Sequence, residues 1–303
     1  MKSTSLDMRG QKKRSWEEDE RKLKREIYPK IGSLIAEQVA KLDVVALLDG
    51  IRDRGAPIQA NRVLALVRKL FNWAVAEGYL QSSPALGIPA RSVERVRTRI
   101  LDGGELQLFW RALDAFDDVT ADVLRTQLLL GARVREVTGM AKSELALHEV
   151  IPTWTLPKAR AKGNRDVVRP LPPAALAIIR RRLSASLDIN PNVFASTVDI
   201  ADAAITARAP SRAVQRAAAR KLVPKGFTPH DLRRTCRTGL AALGVPEIVA
   251  KKILGHSPPR SDVTASVYDQ HTYVPEMMEA LQRWEAHVMK VVHEDEQSMT
   301  VAA

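Results

Sequence analysis

Most of this chain carries apolar residues at the spacing of amphipathic helices, and this spacing limits the fold more than any other feature of the sequence. The clearest run covers residues 58–77 and ends at Gly78. Its apolar face comprises Val63, Leu66, Val67, Leu70, Phe71 and Ala74. Extended patterns are confined to two short segments, TWTLP and VVRPL, which flank residues 162–165. The sequence therefore predicts a mainly α fold with one small β-hairpin or sheet.

Two helical parts are separated by a turn-rich stretch, SSPALGIPARS, and by a basic run from Arg91 to Arg99. Asp102, with Glu105 three residues later, forms a capping-box pattern that opens the second part. In the first part, residues 16–28 predict an exposed amphipathic helix that ends at Pro29. We therefore predict five segments: an N-terminal tail (1–15), a helical domain (16–90), a basic linker (91–100), a second domain (101–290) and an acidic tail (291–303) that is frayed from about His293.

The charge balance is strongly basic and indicates a polyanionic partner. Lys and Arg number 47 and Asp and Glu 35, which gives a formal net charge of +12, and nucleic acid is the first polyanion to consider. A membrane surface is the weaker alternative, since no stretch approaches the roughly 18 consecutive apolar residues of a membrane-spanning helix, and the basic start lacks the apolar segment of a secretory signal. The one cysteine, Cys236, excludes a disulfide framework and a cysteine-cluster zinc site, and it fits a reducing cytoplasm.

The segment TPHDLRR, residues 228–234, is the most informative for function. Thr228 suits an N-cap, and Asp231 three residues later can close a capping box. His230 and Arg233 then lie on one face near a helix start, where their donors and the partial positive charge of the helix end favour an anionic oxygen such as phosphate. The alternative is that both are surface residues of an ordinary basic helix.

Three further features have simple structural explanations when each is taken alone. Arg133 follows the helix-breaking Gly131 and can form a surface ion pair with Glu136. His256 follows a helix that ends in the string ILG, where a histidine is most often structural. Tyr268 lies in the string SVYDQH, and a tyrosine in a helical context is usually a core residue.

The order in which these motifs follow one another along the chain is more specific than any one motif alone. The second part contains the strings GARVRE, KGNRDVVRPL, TPHDLRRT, ILGHS and SVYDQHTYVPEMMEALQRW, and the first part contains DERKLKREIYPKIG and ANRVLALVRKLFNWAVAEGYL. Over about residues 16–290 the sequence resembles the tyrosine recombinases, or phage-type integrases, and most closely those of prophages and genomic islands. The resemblance implies a helical core-type DNA-binding domain followed by the DNA breaking-rejoining catalytic domain of that family.

Two positions depart from the family's pattern, and one domain is expected to be absent. Leu130 stands where the family commonly has Thr before the glycine, and Gln270 stands where an Arg often follows the nucleophile by two residues. Neither is a catalytic position. Relatives of this subgroup usually carry a further N-terminal domain that binds arm-type DNA sites, and we expect this chain to lack it.

The resemblance implies a set of residues for phosphodiester cleavage. Arg133 and Arg233 would stabilise the negative charge that develops on the non-bridging oxygens, and Glu136 would support the arginine site. His256 would donate a hydrogen bond to the scissile phosphate. His230 would act as the general base and acid.

The nucleophile that the resemblance implies is Tyr268, which would form a covalent 3′-phosphotyrosyl intermediate. Tyr273, five residues on, is the competing candidate. Lys162, between the two extended segments, would protonate the leaving 5′-oxygen, with Lys158 as the alternative. No metal and no cofactor are implied, because the arginines supply positive charge and the covalent bond conserves the energy of the broken phosphodiester.

The implied partners are double-stranded DNA carrying attachment-type recombination sites, other copies of the chain in a homotetramer on DNA, a DNA-bending host protein and an excision factor. The implied location is the cytoplasmic nucleoid. Four linker residues would contact the DNA backbone, although a solvated loop explains them as well: Arg91, Arg95, Arg97 and Arg99. Two alternative functions stay open, namely a truncated integrase remnant that binds DNA without completing integration, and relaxation of DNA like that of type IB topoisomerases.

The last helical pattern leaves two packing arrangements open. Its apolar residues recur at helical spacing and are Met277, Leu281, Trp284 and Val288. This face either packs on the catalytic domain of the same chain or docks on a neighbouring subunit.

Overall fold

The computed structural model describes residues 16–185, 189–196, 203–256 and 271–300. The chain divides between Arg97 and Thr98 into two compact units. Tyr268, the nucleophile implied by the resemblance, lies outside the described residues. No helix of the described part combines the length and the apolar character that crossing a bilayer requires.

The first unit is built from helices. These are α1 (Trp16–Lys22), a π-helical segment (Leu23–Ile27), α2 (Tyr28–Ile31), α3 (Lys41–Asp53) and α4 (Pro57–Ala76). Their buried apolar residues form the core of this unit and include Val44, Leu48, Val63, Val67 and Phe71. The apolar face predicted from residues 58–77 is therefore the packed face of α4. Gly78 follows this helix with φ +78°, a conformation that glycine adopts without strain.

The prediction that the first helix ends at Pro29 is wrong. Helix α1 continues through the π-helical segment into α2, which contains Pro29 and reaches Ile31. The Tyr28 N–H donates to the Leu23 carbonyl, five residues back. Proline has no N–H for the ordinary helical bond, and the wider turn changes the hydrogen-bond register just before it. The helix can therefore pass through this proline.

The second unit surrounds a small sheet with helices. The helices are α5 (Gly103–Ala112), α6 (Asp118–Leu130), α7 (Val134–Thr138), α8 (Pro173–Ala185), α9 (Ala209–Ala219), α10 (Pro229–Ala242), α11 (Glu247–Leu254) and α12 (Val274–Thr300). The strands are β1 (Leu145–Ala146), β2 (Thr153–Leu156) and β3 (Val167–Pro170), antiparallel in the order β1-β2-β3. The predicted hairpin is β2–β3, in which Thr153 faces Pro170 and Leu156 faces Val167. The predicted fold class, mainly α with a small sheet in the second part, is confirmed.

Two helix starts in the second unit carry the predicted capping interactions. At α5, the Asp102 carboxylate accepts a hydrogen bond from the Glu105 N–H at 2.8 Å. At α10, the buried Asp231 carboxylate accepts from the Thr228 N–H at 2.9 Å and from the Thr228 hydroxyl at 3.0 Å. These bonds determine where α10 begins, and with it the direction of the side chains that leave its first two turns.

The C-terminal helix α12 packs on its own unit. Trp284 is buried, and its Nε1 donates to the Leu128 carbonyl of α6 at 2.9 Å. Met277, Leu281 and Val288 are buried in the same core. The apolar stripe of this helix is therefore packed on its own unit in this structure.

Helix α12 extends into the segment expected to form the acidic tail and ends at Thr300. Val292 is still buried, and the Gln107 side chain of α5 donates to the Val291 carbonyl at 2.9 Å. The acidic composition of the tail concealed these contacts, which continue the packed face of the helix beyond the apolar stripe.

Two helical glycines provide a matched test of the packing of α12. A Cβ on Gly239, in α10, would lie 2.1 Å from Cζ3 of Trp284, whereas a Cβ on Gly50, in α3, would meet no atom within 4 Å. We expect Gly239→Ala to lower the free energy of unfolding by about 1–3 kcal/mol, because the indole must leave its position. Gly50→Ala should raise it by about 0.5–1 kcal/mol, because alanine favours a helix more than glycine does. Urea denaturation followed by circular dichroism measures both, and a stabilising Gly239→Ala would contradict this packing.

Candidate active site

Arg233, in the second turn of α10, occupies the centre of the candidate site. Its side chain is almost fully buried; Nη1 donates to the Gly131 carbonyl and Nη2 to the Leu254 carbonyl, each at 2.7 Å. These carbonyls lie at the C-terminal ends of α6 and α11, where the helix dipole is negative. Both helices end at a left-handed glycine, Gly131 at φ +58° and Gly255 at φ +61°. The chain therefore turns at both points and presents its last carbonyls to the arginine.

The neighbourhood of Arg233 is rich in positive charge. Burial, followed by the charges of Arg133 and Arg169, lowers the pKa of Arg233 to about 9. The guanidinium is still cationic at pH 7, so the site keeps a positive charge beneath its surface. Such a charge favours binding of an anion at the exposed side of the site.

His256 is brought directly to this arginine. Its Nε2 lies 3.0 Å from Arg233 Nη2. Because a guanidinium only donates, Nε2 must accept, and Nδ1 then carries the proton of the neutral ring. Partial burial and the charges of Arg233 and Arg133 lower the pKa of His256 to about 4. At neutral pH this exposed residue is therefore a neutral imidazole with an N–H donor at Nδ1.

Arg133 is held by the carboxylate three residues after it. As the N-cap residue of α7, it donates its backbone N–H to Glu136 Oε2 at 3.0 Å and its Nη1 to Glu136 Oε1 at 2.7 Å. Burial opposes ionisation of Glu136, but the charge of Arg169 and the hydrogen bonds and charge of Arg133 outweigh it and lower the pKa of Glu136. The Arg133 side chain is 27% exposed. Its guanidinium thus combines a buried anchor with access to solvent.

Arg169, in β3, belongs to the same cluster and was not among the predicted site residues. It is fully buried, and its Nη2 donates to Glu136 Oε2 at 2.8 Å and its Nε to the Ile253 carbonyl at 2.7 Å. Its guanidinium also lies over the Trp154 ring, 5.1 Å from the centroid. One sequence signal indicates that Arg169 is buried, although not which residues it contacts: in VVRPL, Val167 and Arg169 lie two residues apart and so share the inward face of a strand.

His230 lies one turn before Arg233 on α10. The residue is exposed, although neighbouring atoms partly remove its ring from water. This partial burial, then the charges of Arg234 and Arg233, lowers the pKa of His230, and Asp231 opposes the shift. The neutral ring, which can accept a proton, is therefore favoured near neutral pH.

The connection between β2 and β3 approaches the site through Arg165. The Arg165 guanidinium donates to the His256 backbone carbonyl. Asn164 adopts a left-handed φ of +53°, which turns the chain before β3 begins. Lys162 and Lys158 are both exposed on this connection. The structure therefore places both candidate lysines on the segment that reaches His256.

Tyr273, the competing nucleophile, lies at the start of α12 with a left-handed φ of +58°. The Lys252 ammonium lies 4.7 Å from the centroid of its ring. The His271 ring packs edge-on against it at 4.4 Å between centroids. Its ring is thus held between a cation and an imidazole.

The four linker arginines differ in their surroundings. Arg91 pairs with Asp49 of the first unit at 2.8 Å, and its side chain is 10% exposed. Arg99 pairs with Glu105 of the second unit at 2.7 Å. Arg95 and Arg97 are exposed. The guanidinium groups of Arg91 and Arg99 therefore each form an ion pair within their own unit.

Neither metal ligation nor a thiol nucleophile is indicated in the part of the chain that the structure describes. No group of three or more His, Cys, Asp or Glu side chains there could hold a metal ion. Burial raises the pKa of Cys236 to about 12, so that it stays a protonated thiol. A Cβ on Gly131 would lie 2.9 Å from Cys236 Sγ, which shows that Cys236 packs under the turn that precedes Arg133.

Comparison with known families decides the relationship. Residues 101–273 match the phage integrase family, and residues 6–89 match the phage integrase central domain. The chain belongs to the phage integrase family. The resemblance to tyrosine recombinases noted from the sequence motifs is thereby confirmed, and with it the assignment to a family of DNA strand-exchange enzymes.

Individual relatives of this integrase-family chain are distant. It is 27% identical to the tyrosine recombinase XerD of Lacticaseibacillus casei over an alignment of 224 residues, and this alignment spans 71% of this chain and 73% of XerD. It is 22% identical over 270 residues to the prophage integrase IntA of Escherichia coli, which covers 87% of this chain but 62%, less than two thirds, of IntA. The fold is shared with a lambda integrase tetramer bound to a Holliday junction, at a TM-score of 0.66 and 20% sequence identity. The superposition covers 83% of this chain and 74% of the lambda integrase chain.

The contact between Arg233 and His256 predicts a pH-dependent property. Arg233→Met should raise the pKa of His256 from about 4 towards its ordinary value near 6.5, because a positive charge 3.0 Å away is removed. In the folded wild type the ring binds its proton more weakly than in the unfolded chain. Stability should therefore fall as pH falls from about 6.5 to about 4.

Titration of His256 by NMR measures this pKa. Arg181→Met is the control, since Arg181 pairs with Asp122 elsewhere in the unit and should leave the titration unchanged. An unchanged pKa in Arg233→Met would contradict the contact.

Proposed function

We propose that this protein is a site-specific DNA recombinase that cleaves and rejoins DNA through a covalent 3′-phosphotyrosine intermediate. The observation that carries the proposal is the convergence of Arg133, Arg233 and His256 at the ends of α6 and α11. Arg233 bonds the carbonyl of Gly131, two residues before Arg133, and also contacts the ring of His256. Three donors from distant parts of the chain thus face one region, as stabilisation of a phosphate requires.

Electrostatics of this cluster suit the transition state of phosphoryl transfer. Negative charge develops on the non-bridging oxygens when an oxygen nucleophile attacks the phosphorus. Arg133 and Arg233 supply fixed positive charge and several N–H donors for these oxygens. His256 donates a further hydrogen bond through Nδ1. Because the arginines supply this charge, the reaction does not require a divalent metal.

The proton transfers follow from the remaining residues. The Tyr268 hydroxyl attacks the phosphorus while His230 accepts its proton, and the P–O bond to the 5′-oxygen breaks. Lys162, or alternatively Lys158, gives a proton to that leaving oxygen. The phosphotyrosyl bond keeps the energy of the phosphodiester, so rejoining by a 5′-hydroxyl needs no nucleotide cofactor.

Assembly on DNA completes the proposal. A tetramer brings two attachment-type sites of double-stranded DNA together, and the structural neighbour that is a lambda integrase tetramer bound to a Holliday junction supports this assembly. The prophage integrase relative favours a role in the movement of a genetic element. A DNA-bending host protein and an excision factor are part of the proposal. The four linker arginines are proposed to contact the DNA backbone, and Arg95 and Arg97 are both exposed, as such a contact requires.

Covalent trapping tests the nucleophile. The probe is a nicked suicide duplex that carries the sequence selected by the protein from a random DNA pool. The wild type should accumulate a covalent protein–DNA complex on denaturing gels, and Tyr268→Phe should form none, because phenylalanine lacks the attacking oxygen. Tyr273→Phe is the matched control and should retain trapping. The reverse result would assign the nucleophile to Tyr273.

Plasmid assays separate recombination from its two alternatives. A supercoiled plasmid with two copies of the selected sequence should yield recombinant circles of the two sizes set by the site spacing. A plasmid without that sequence should stay supercoiled. Relaxation of the second plasmid would favour an activity like that of type IB topoisomerases, and binding without any product would favour a remnant.

A further inference from the structure

Arg169 belongs to the charged cluster of the candidate site but has no role in the proposed reaction steps. Arg169 is the one arginine in the described part of the chain whose side chain is fully buried, at 0% exposure. A guanidinium in a strand interior must be compensated for the water that it has lost. The groups that compensate the buried charge of Arg169 therefore indicate its role in this site.

These contacts join the two halves of the candidate site. Arg169 Nε binds the Ile253 carbonyl, and the next carbonyl along α11, that of Leu254, binds Arg233. Arg169 Nη2 binds Glu136 Oε2, and Oε1 of the same carboxylate binds Arg133. A single buried side chain thus connects the carboxylate that holds Arg133 to the helix end that holds Arg233.

The geometry at Glu136 indicates why this connection matters. A carboxylate next to a guanidinium tends to bind it through both oxygens. Here Oε2 is occupied by Arg169 Nη2 at 2.8 Å and by the Arg133 backbone N–H at 3.0 Å. Among the described contacts, the Arg133 guanidinium meets Glu136 through Nη1 alone. The other guanidinium nitrogens of Arg133 are thus not engaged by this carboxylate, and the side chain is 27% exposed.

We propose that Arg169 is a positioning residue: it anchors Glu136 so that Arg133 keeps part of its guanidinium for the scissile phosphate. The inference rests on the proposed recombinase function. Without Arg169, the Glu136 carboxylate turns both oxygens to the Arg133 guanidinium, neutralises it and draws it away from the DNA. Arg169 itself never touches the substrate.

The test compares DNA binding with the rate of covalent cleavage. Arg169→Met removes the charge and keeps an apolar side chain of similar length. We expect its affinity for the selected duplex to change by no more than about twofold. Its single-turnover rate of covalent complex formation should fall by about tenfold to a hundredfold, as when a catalytic group is misplaced by about an ångström. An unchanged rate would overturn the inference.

Second-site rescue separates positioning from a merely structural role. In Arg169→Met/Glu136→Gln the competing carboxylate charge is absent, so the double variant should cleave faster than Arg169→Met. The matched control is Arg160, which bonds the Glu136 backbone carbonyl at 2.6 Å but not its carboxylate. Cleavage by Arg160→Met should gain nothing from Glu136→Gln. Absence of rescue in the Arg169 pair, or equal rescue in both pairs, would overturn the inference.

Folding is checked by the melting temperature and near-ultraviolet circular dichroism of each variant. If Arg169→Met does not fold, Arg169→Lys takes its place, because it keeps the charge but cannot reach both Glu136 and Ile253. Its cleavage rate should fall several-fold with unchanged DNA affinity, and a wild-type rate would overturn the inference. If the wild type itself forms no covalent complex, the proposed recombinase function fails. If the wild type forms the complex and Arg169→Met forms it equally fast, only the positioning role of Arg169 fails.

Discussion

A buried guanidinium at the meeting point of two helix ends is the interaction on which the candidate site depends. Arg233 of α10 binds the last carbonyls of α6 and α11, and those carbonyls carry the partial negative charge of two helix dipoles. A cation removed from water requires such compensation. The consequence is geometric. The three helices must meet at one point, and the residues that follow α6 and α11, Arg133 and His256, are thereby brought to Arg233.

An excess of positive charge at short range shapes the chemistry of this site. Arg133, Arg169 and Arg233 all lie within electrostatic reach of Glu136. Together with burial, this excess favours the neutral rings of the two site histidines near pH 7. In the proposed reaction, the phosphodiester would supply the missing negative charge, and further charge that develops on it would be stabilised by groups already in place. Membership in the phage integrase family gives this electrostatic arrangement its proposed task.

Parts of the site that depend on neighbours along the chain could be predicted from the sequence. The Thr228–Asp231 capping box and the i, i+3 pairing of Arg133 with Glu136 are local patterns, and both are present in the structure. The order of the motifs added His256 through the family resemblance. The role of each of these residues, and that of Tyr268 outside the described residues, stays a prediction.

The sequence by itself determined the helical content, the β2–β3 hairpin, the helix starts and the net charge of +12, because period, capping and composition are local properties of a chain. Only the tertiary structure decided that Arg169 joins the site, because its partners Glu136 and Ile253 lie 33 and 84 residues away. It also decided that Trp284 packs against α6 of the same chain. Such pairings depend on which elements come to lie together, and no local spacing contains that information.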